Sequence, residues 1–335
     1  MKALALHSIH QRLGATFGEL AGKELVATYG DVDAEYRAAR EGCALLDLGF
    51  REMLCVTGED RVSFLQGMVS NDIARLPVGG SLYATMLTPK GALVADARIF
   101  RRSEDVLLDL EPGAGQRAMD FLQRHLVSEE AELHSLDWGV LSLLGPRASD
   151  IAGAALPSSD ELLRTSCLLP SLPGVDLLGP REKLVPVAHA LLAAPGVTPA
   201  GFDAFERVRV EEGVPRYGQE LDEDTIPLEA NLERAISYDK GCYVGQEVIA
   251  RATFRGQVNR RLVGLFLGAS PPSACAELFA QEKKVGSVRS VVWSPALGGH
   301  VALAYVHRQH AEVGTRLLVH PDGGEATVLA LPMRP

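Results

Sequence analysis

Apolar positions change period several times along this chain. Met53-Leu54-Cys55-Val56 is a short apolar run bounded by polar residues and predicts a strand. After Gly58-Glu59-Asp60, the residues Val62, Phe64, Leu65, Met68 and Val69 fall at helical spacing, with the acids placed for a first turn. Residues 82–87 predict a strand, Pro89-Lys90-Gly91 a turn, and residues 93–100 the returning strand. Residues 106–110 predict another strand. Residues 116–126 set Ala118, Met119, Leu122 and Leu126 on one helical face, and residues 131–136 predict a last strand. The order βαββ(β)αβ is that of an α+β, ferredoxin-like unit.

The flanks are less periodic. Residues 8–48 read as mostly helical, through Asp33-Ala34-Glu35-Tyr36-Arg37-Ala38-Ala39-Arg40. Residues 140–144 predict a strand, Pro146 a helix start, and residues 202–212 a helix. Residues 157–200 show no clear period. Residues 213–260 read as loop-rich and carry the densest polar cluster beside glycine. From Leu262 onward, short apolar runs separated by Gly and Pro predict a small β-barrel.

Composition narrows the classes. The chain has 335 residues, 47% of them hydrophobic, enough for a buried core and more than one domain. With 43 acidic against 33 basic side chains, the net charge of −10 offers duplex DNA no global attraction. No apolar stretch approaches the ~18 residues of a membrane span. The apolar N-terminal run is too short for a signal peptide, so a cytoplasmic protein is expected, with no membrane and no direct nucleic-acid partner. Five cysteines, an odd number with no C-x-x-C pair, suggest neither a zinc site nor a disulfide framework.

Several motifs reduce to ordinary structure. Gly113-Ala114-Gly115-Gln116-Arg117-Ala118 fits G-x-G-x-x-A, but Glu111-Pro112 precedes it and no βαβ series follows, so a glycine-tolerant helix start is expected. Asp31-Val32-Asp33-Ala34-Glu35 lacks the glycine of a calcium loop and reads as a helix entry. His307 and His310, with His300 and His320 nearby, have no accompanying acid or cysteine pattern, so no metal site is expected.

Three places stand out. Asp239-Lys240-Gly241-Cys242-Tyr243-Val244-Gly245-Gln246-Glu247 puts a thiol between glycines beside a lysine, an arrangement that favours a thiolate. The bland alternative is a small core cysteine. The other four cysteines read as packing residues. Arg207 to Glu220 mixes charge with Phe205, Val208 and Val210, so Glu211 is a candidate buried acid, or else part of an ordinary charged helix end. Asp96 is a lone carboxylate in the apolar run 92–100 and needs an ion-pair partner or a ligand.

Lys240-Gly241-Cys242-Tyr243-Val244-Gly245-Gln246-Glu247 resembles the K-G-C-[FY]-x-G-Q-E signature of the YgfZ folate-binding proteins, relatives of the glycine cleavage T-protein, an aminomethyltransferase. Phe64-Leu65-Gln66…Asn71-Asp72-Ile73, Leu45-Leu46-Asp47, Val210-Glu211-Glu212-Gly213…Tyr217-Gly218-Gln219-Glu220, Ser294-Pro295 and Ala302-Leu303-Ala304-Tyr305-Val306 resemble further segments of that group. The resemblance implies an α+β, three-domain cloverleaf of the T-protein type around tetrahydrofolate or a one-carbon derivative. Its parts would be residues 1–50 with 137–255 for folate, a ferredoxin-like 51–136, and a barrel at 256–335.

The family's folate-contacting glutamate falls on Glu211. Its G-G-x-x-D-D stretch falls on Gly91-Ala92-Leu93-Val94-Ala95-Asp96, where Ala95 replaces the first acid and Asp96 keeps the second. The cysteine and the missing acid point to the YgfZ branch, which supports iron–sulfur cluster assembly or repair, including for tRNA-modifying enzymes. Iron–sulfur enzymes or assembly proteins would then be partners. The alternative is folate-dependent aminomethyl transfer. Cys242 and Asp96 are the implied catalytic groups. Glu211, Asp96, Tyr83, Met86, Tyr217, Gln246 and Arg251 are the expected folate contacts, with Arg255 a second cation for its carboxylates.

Overall fold

The computed structural model describes residues 2–155, 162–255, 258–269, 275–320 and 324–335, with the side chains of residues 254 and 255 excepted. The fold is mixed α/β and divides into two compact units, Met1–Glu52 with Leu136–Glu212, and Met53–Ser135 with Gly213–Pro335.

The first unit holds a five-stranded sheet in the order Leu163–Ser166, Gly174–Pro180, Trp138–Leu144, Ala44–Asp47, Thr198–Pro199. Leu45, Leu141, Leu143 and Leu177 pack from it against Ile151, Ala188 and Leu191 of the covering helices. Helix Val32–Glu41 begins at Asp31, whose carboxylate accepts from Ala34 N at 2.9 Å. It packs against helix Phe202–Glu211.

Residues 8–48 are less helical than the sequence suggests. Helix His7–Arg12 is followed by an antiparallel hairpin, Thr16–Leu20 with Lys23–Thr28. Leu20 pairs with Lys23 across a two-residue turn, and Ala21 (φ 49°) and Gly22 (φ 78°) both have left-handed backbones. Such a turn matches the twist of a hairpin.

The second unit carries the expected α/β alternation. Its five-stranded sheet has the order Ser81–Leu87, Leu93–Arg101, Val106–Leu110, Glu52–Thr57, Glu132–Leu136. Helices Arg61–Met68 and Gly115–His125 accompany it. Helix Arg61–Met68 starts one residue after Asp60, so Glu59 and Asp60 precede its first turn rather than fill it. Leu54, Val56, Ala84, Met86, Ala95, Ala97, Ile99, Leu108 and Leu110 form the core with Phe64, Leu65, Ala118 and Leu122.

Residues 213–255 contain more structure than a loop. Two 3₁₀ turns, Pro227–Ala230 and Glu233–Ala235, precede the α-helix Gln246–Arg255. The C-terminal strands close a six-stranded barrel in the order Arg260–Gly268, Gly299–His307, Lys283–Ser294, Glu277–Ala280, Arg316–His320, Glu325–Leu329. Inward Val263, Leu265, Val288, Ala302, Ala304, Val319 and Val328 fill it.

Candidate functional site

Strand alternation decides what surrounds Asp96. Residue 85 pairs with 96 and residue 86 with 95, so Tyr83, Thr85, Asp96 and Arg98 share one sheet face while Met86 and Ala95 share the other. Tyr83 donates its hydroxyl to Asp96 Oδ2 at 2.8 Å. Burial and the neighbouring carboxylate push the Tyr83 phenol well above its ordinary pKa, so it stays a donor. The Arg234 guanidinium lies 4.9 Å from the Tyr83 ring centroid. One strand further, Arg98 Nε and Nη2 grip Asp109 Oδ2 at 2.8 and 2.6 Å. Arg216 stands 3.8 Å from Glu111. Asp96 is 7% exposed, so this is a carboxylate held inside a polar layer.

Met86, expected over a folate ring, is instead 1% exposed within the helical-side core. Three residues separate it from Tyr83, and an odd spacing in a strand puts two side chains on opposite faces. Ala95 is fully buried on that same core side. Tyr217 is half-buried, packs against this core, and has its phenol raised by burial.

Glu211 belongs to the first unit and is 1% exposed. Its oxygens accept from Tyr36 Oη at 3.1 and 2.8 Å and from the Arg40 guanidinium, which also donates to Glu212. Ser171 donates to Glu212 as well. Burial and Glu211 push the Tyr36 phenol up to about 12. The carboxylate expected to meet a pterin is therefore already built into a buried ion-pair network. Elsewhere in this unit, Asp47 accepts from Gly49 N at 2.8 Å and meets His10 Nε2 at 2.9 Å, and His10 Nδ1 meets Tyr29 Oη at 2.7 Å.

The segment around Cys242 differs from its sequence reading in three respects. Cys242 is exposed, so it is no small core residue. Lys240 does not serve the thiol; its Nζ donates to the backbone carbonyls of Gln66 and Val69 at 2.6 Å each and of Asn71 at 2.9 Å. Gly241 has no heavy atom within 4 Å of a built Cβ, whereas at Gly245 (φ +85°) a Cβ would stand 2.7 Å from the Thr88 carbonyl oxygen. Gly245, not Gly241, is the glycine that packing requires.

Gln246 opens the helix Gln246–Arg255 and is half-buried. Arg251 is exposed and pairs with Glu247 at 2.8 Å, one turn away. The Arg255 side chain lies outside the described residues. Of the remaining cysteines, Cys43, Cys55 and Cys167 are buried, and burial raises Cys43 and Cys55 to about 11. Cys275, expected to pack, is exposed with a left-handed backbone (φ 65°).

Two features escaped sequence reasoning. Arg98, Arg234 and Arg216 hold the Asp96 layer, and only Arg98 carries a local hint, the strand alternation it shares with Asp96. A barrel pocket of about 640 Å³ is lined by Arg260, Lys283, Tyr305 and His307, and nothing in the sequence brought these four together. Among the described residues, no three or more His, Cys, Asp or Glu are grouped to hold a metal ion, and no helix is long and apolar enough to cross a membrane.

Comparison with known proteins matches residues 6–164 and 173–240 to the GCVT N-terminal domain, and residues 260–333 to the glycine cleavage T-protein C-terminal barrel domain. An aminomethyltransferase of Chlorobium luteolum is 30% identical over 349 residues, covering 96% of this chain and 95% of the relative. An aminomethyltransferase of Halalkalibacterium halodurans is 27% identical, covering 96% of this chain and 94% of the relative. The crystal structure of glycine cleavage system aminomethyltransferase T from Bartonella henselae superposes with a TM-score of 0.92 at 26% identity, over 99% of this chain and 97% of that one.

Proposed function

The chain belongs to the glycine cleavage T-protein family, and from that membership we propose that it is a tetrahydrofolate-dependent aminomethyltransferase with Asp96 at the reacting carbon. The observation that carries this reading is the placement of Asp96 and Ala95. Of the two acid positions in the family's stretch, the one changed to alanine points into the hydrophobic core, and the one retained points into the polar layer and meets Tyr83. The replacement of an acid at 95 therefore leaves the polar layer untouched, which supports transferase chemistry at Asp96.

Tetrahydrofolate, when bound, supplies the nitrogen that takes up the one-carbon unit. The chain's residues suit such a group. Tyr83, Tyr217 and Arg234 offer flat faces and a cation for a heteroaromatic ring. Asp96 takes or orients the proton of the amine at the reacting carbon, the ordinary work of a general base. Tyr83 keeps that carboxylate in one orientation. Glu211 enters this reading through the family resemblance alone; in the first unit its oxygens already accept from Tyr36 and Arg40. Arg251, on the surface with Glu247, suits the carboxylates of the folate tail. The domain division 1–50 with 137–255, 51–136 and 256–335 belongs to the same reading.

The test is ammonia release from an aminomethylated carrier protein, with and without tetrahydrofolate. Wild type is expected to release ammonia only with the folate, and Asp96→Asn to release little. Background-level release from wild type overturns the reading.

A second reading is favoured by one observation, the exposed thiol of Cys242 inside the YgfZ-like octapeptide. In it the protein uses folate to support iron–sulfur enzymes, including those that modify tRNA. Cys242 would meet iron or a persulfide, or undergo oxidation. Complementation of a strain lacking that support decides it: tRNA methylthiolation unchanged by Cys242→Ala removes the cysteine's role.

A further inference from the structure

Lys240 is 7% exposed, and its ammonium meets the three carbonyls of Gln66, Val69 and Asn71. These acceptors surround the C-terminal end of helix Arg61–Met68, where carbonyls lack helical donors. An ammonium has three N–H groups, one for each.

The segment it holds is a hub. Ser70 N donates to the Thr85 carbonyl at 2.9 Å, and Ser70 Oγ to the Ala235 carbonyl at 2.6 Å. Thr85 N donates to Ser70 Oγ at 2.9 Å. Asn71 Nδ2 donates to the carbonyls of Tyr83 at 2.9 Å and Arg234 at 3.2 Å. Val244 N donates to the Gly67 carbonyl at 3.1 Å, so Cys242 lies between two anchors on this segment. Tyr83, which donates to Asp96, and Arg234, which lies over the Tyr83 ring, are thus both held at their backbone carbonyls by Asn71.

We propose that Lys240 is a positioning residue for the Asp96 site: it gathers the carbonyls of residues 66–71 so that Ser70 and Asn71 set the strand carrying Tyr83. The catalytic part of this inference rests on the aminomethyltransferase reading above. Deprotonation would leave only two N–H groups for three carbonyls. Burial brings the ammonium down to about 8, opposed by the Asp72 carboxylate. The other groups facing it are the Tyr243 ring, 5.0 Å away, and beyond it Tyr238; Asp72 itself is engaged by Gln66 and Arg75.

Hydrogen exchange and steady-state rates on the full chain test this. In Lys240→Met, peptides covering 66–72, 81–87 and 234–245 are expected to exchange about tenfold faster, the effect of one or two lost buried hydrogen bonds. The barrel strand 299–307 keeps its wild-type exchange. The wild-type kcat is expected to fall near pH 8, and that fall to disappear in Lys240→Met and in Lys240→Arg, whose cation does not titrate there; Lys240→Arg is expected to keep wild-type exchange. Unchanged exchange in Lys240→Met, or a fall near pH 8 that persists in both variants, overturns the proposal. If wild type shows no transfer at all, the functional reading fails while exchange still decides the clamp.

Discussion

Tyr83 reaches diagonally across its strand pair to place its hydroxyl 2.8 Å from Asp96 Oδ2. One carboxylate oxygen is thereby pinned by a donor that does not ionise in the neutral range. Asp96→Asn should lower kcat of folate-dependent transfer by about 10²–10⁴, the usual contribution of a general base. Tyr83→Phe should lower it by roughly tenfold, through orientation alone. Steady-state rates with a saturating aminomethylated carrier check both; near-wild-type kcat in Asp96→Asn would remove that residue from the chemistry.

Lys240 also leaves a thermodynamic trace. Its folded-state value, about 8, lies below the ordinary lysine value of 10.5, so the unfolded chain holds the proton longer. Between those limits unfolding takes up a proton, and this group's contribution raises stability as pH rises, by at most about 1.4 kcal/mol per pH unit. That contribution is lost as pH falls through about 8. Urea midpoints measured from pH 7 to 9.5 should therefore climb more in wild type than in Lys240→Met. Parallel curves would contradict the shift.

The two glycines flanking Cys242 should respond differently to alanine. At Gly245 a Cβ would stand 2.7 Å from a backbone oxygen and 2.8 Å from Leu87 Cβ, at φ +85°. Gly245→Ala should cost about 2 kcal/mol or more, from strain and clash together. Gly241→Ala meets open space and should stay within about 0.5 kcal/mol of wild type. Thermal unfolding of the two variants side by side gives the comparison.

Arg40 bridges Glu211 and Glu212, both buried. Arg40→Met keeps its apolar bulk but takes this cation from two buried carboxylates that keep only neutral donors such as Tyr36 and Ser171 among the bonds described, so a loss of about 3 kcal/mol is expected. Chemical denaturation measures it. A loss below about 1 kcal/mol would mean the pair behaves as an ordinary surface contact.

Legibility followed the range of the forces involved. The strands and helices of residues 52–136 were readable because one face of each is buried and the pattern is local. Asp96 was readable as a polar residue in an apolar strand. The parity of its neighbours was readable too, since Tyr83 and Met86 stand three apart, but a shared apolar character hid it. The hairpin 16–28 was missed because its strands are short and its turn uses Ala21 in place of the usual Asn or Asp. The partners of Glu211 could not be read at all, because Tyr36 lies 175 residues away and nothing local marks it. Lys240 misled for a related reason: a cation beside a cysteine in sequence turned its charge toward carbonyls 169 to 174 residues earlier.

Strand Ser81–Leu87 is the outermost of its sheet, yet it is not left bare. Val69 bridges to Met86, and Ser70 and Asn71 take the carbonyls of Thr85 and Tyr83. An uncovered edge is a template on which another chain can add a strand. Residues 69–71 therefore act as a guard against self-association. A variant that loosens them should show itself first as protein lost from solution on concentration or mild heating, ahead of any loss of fold.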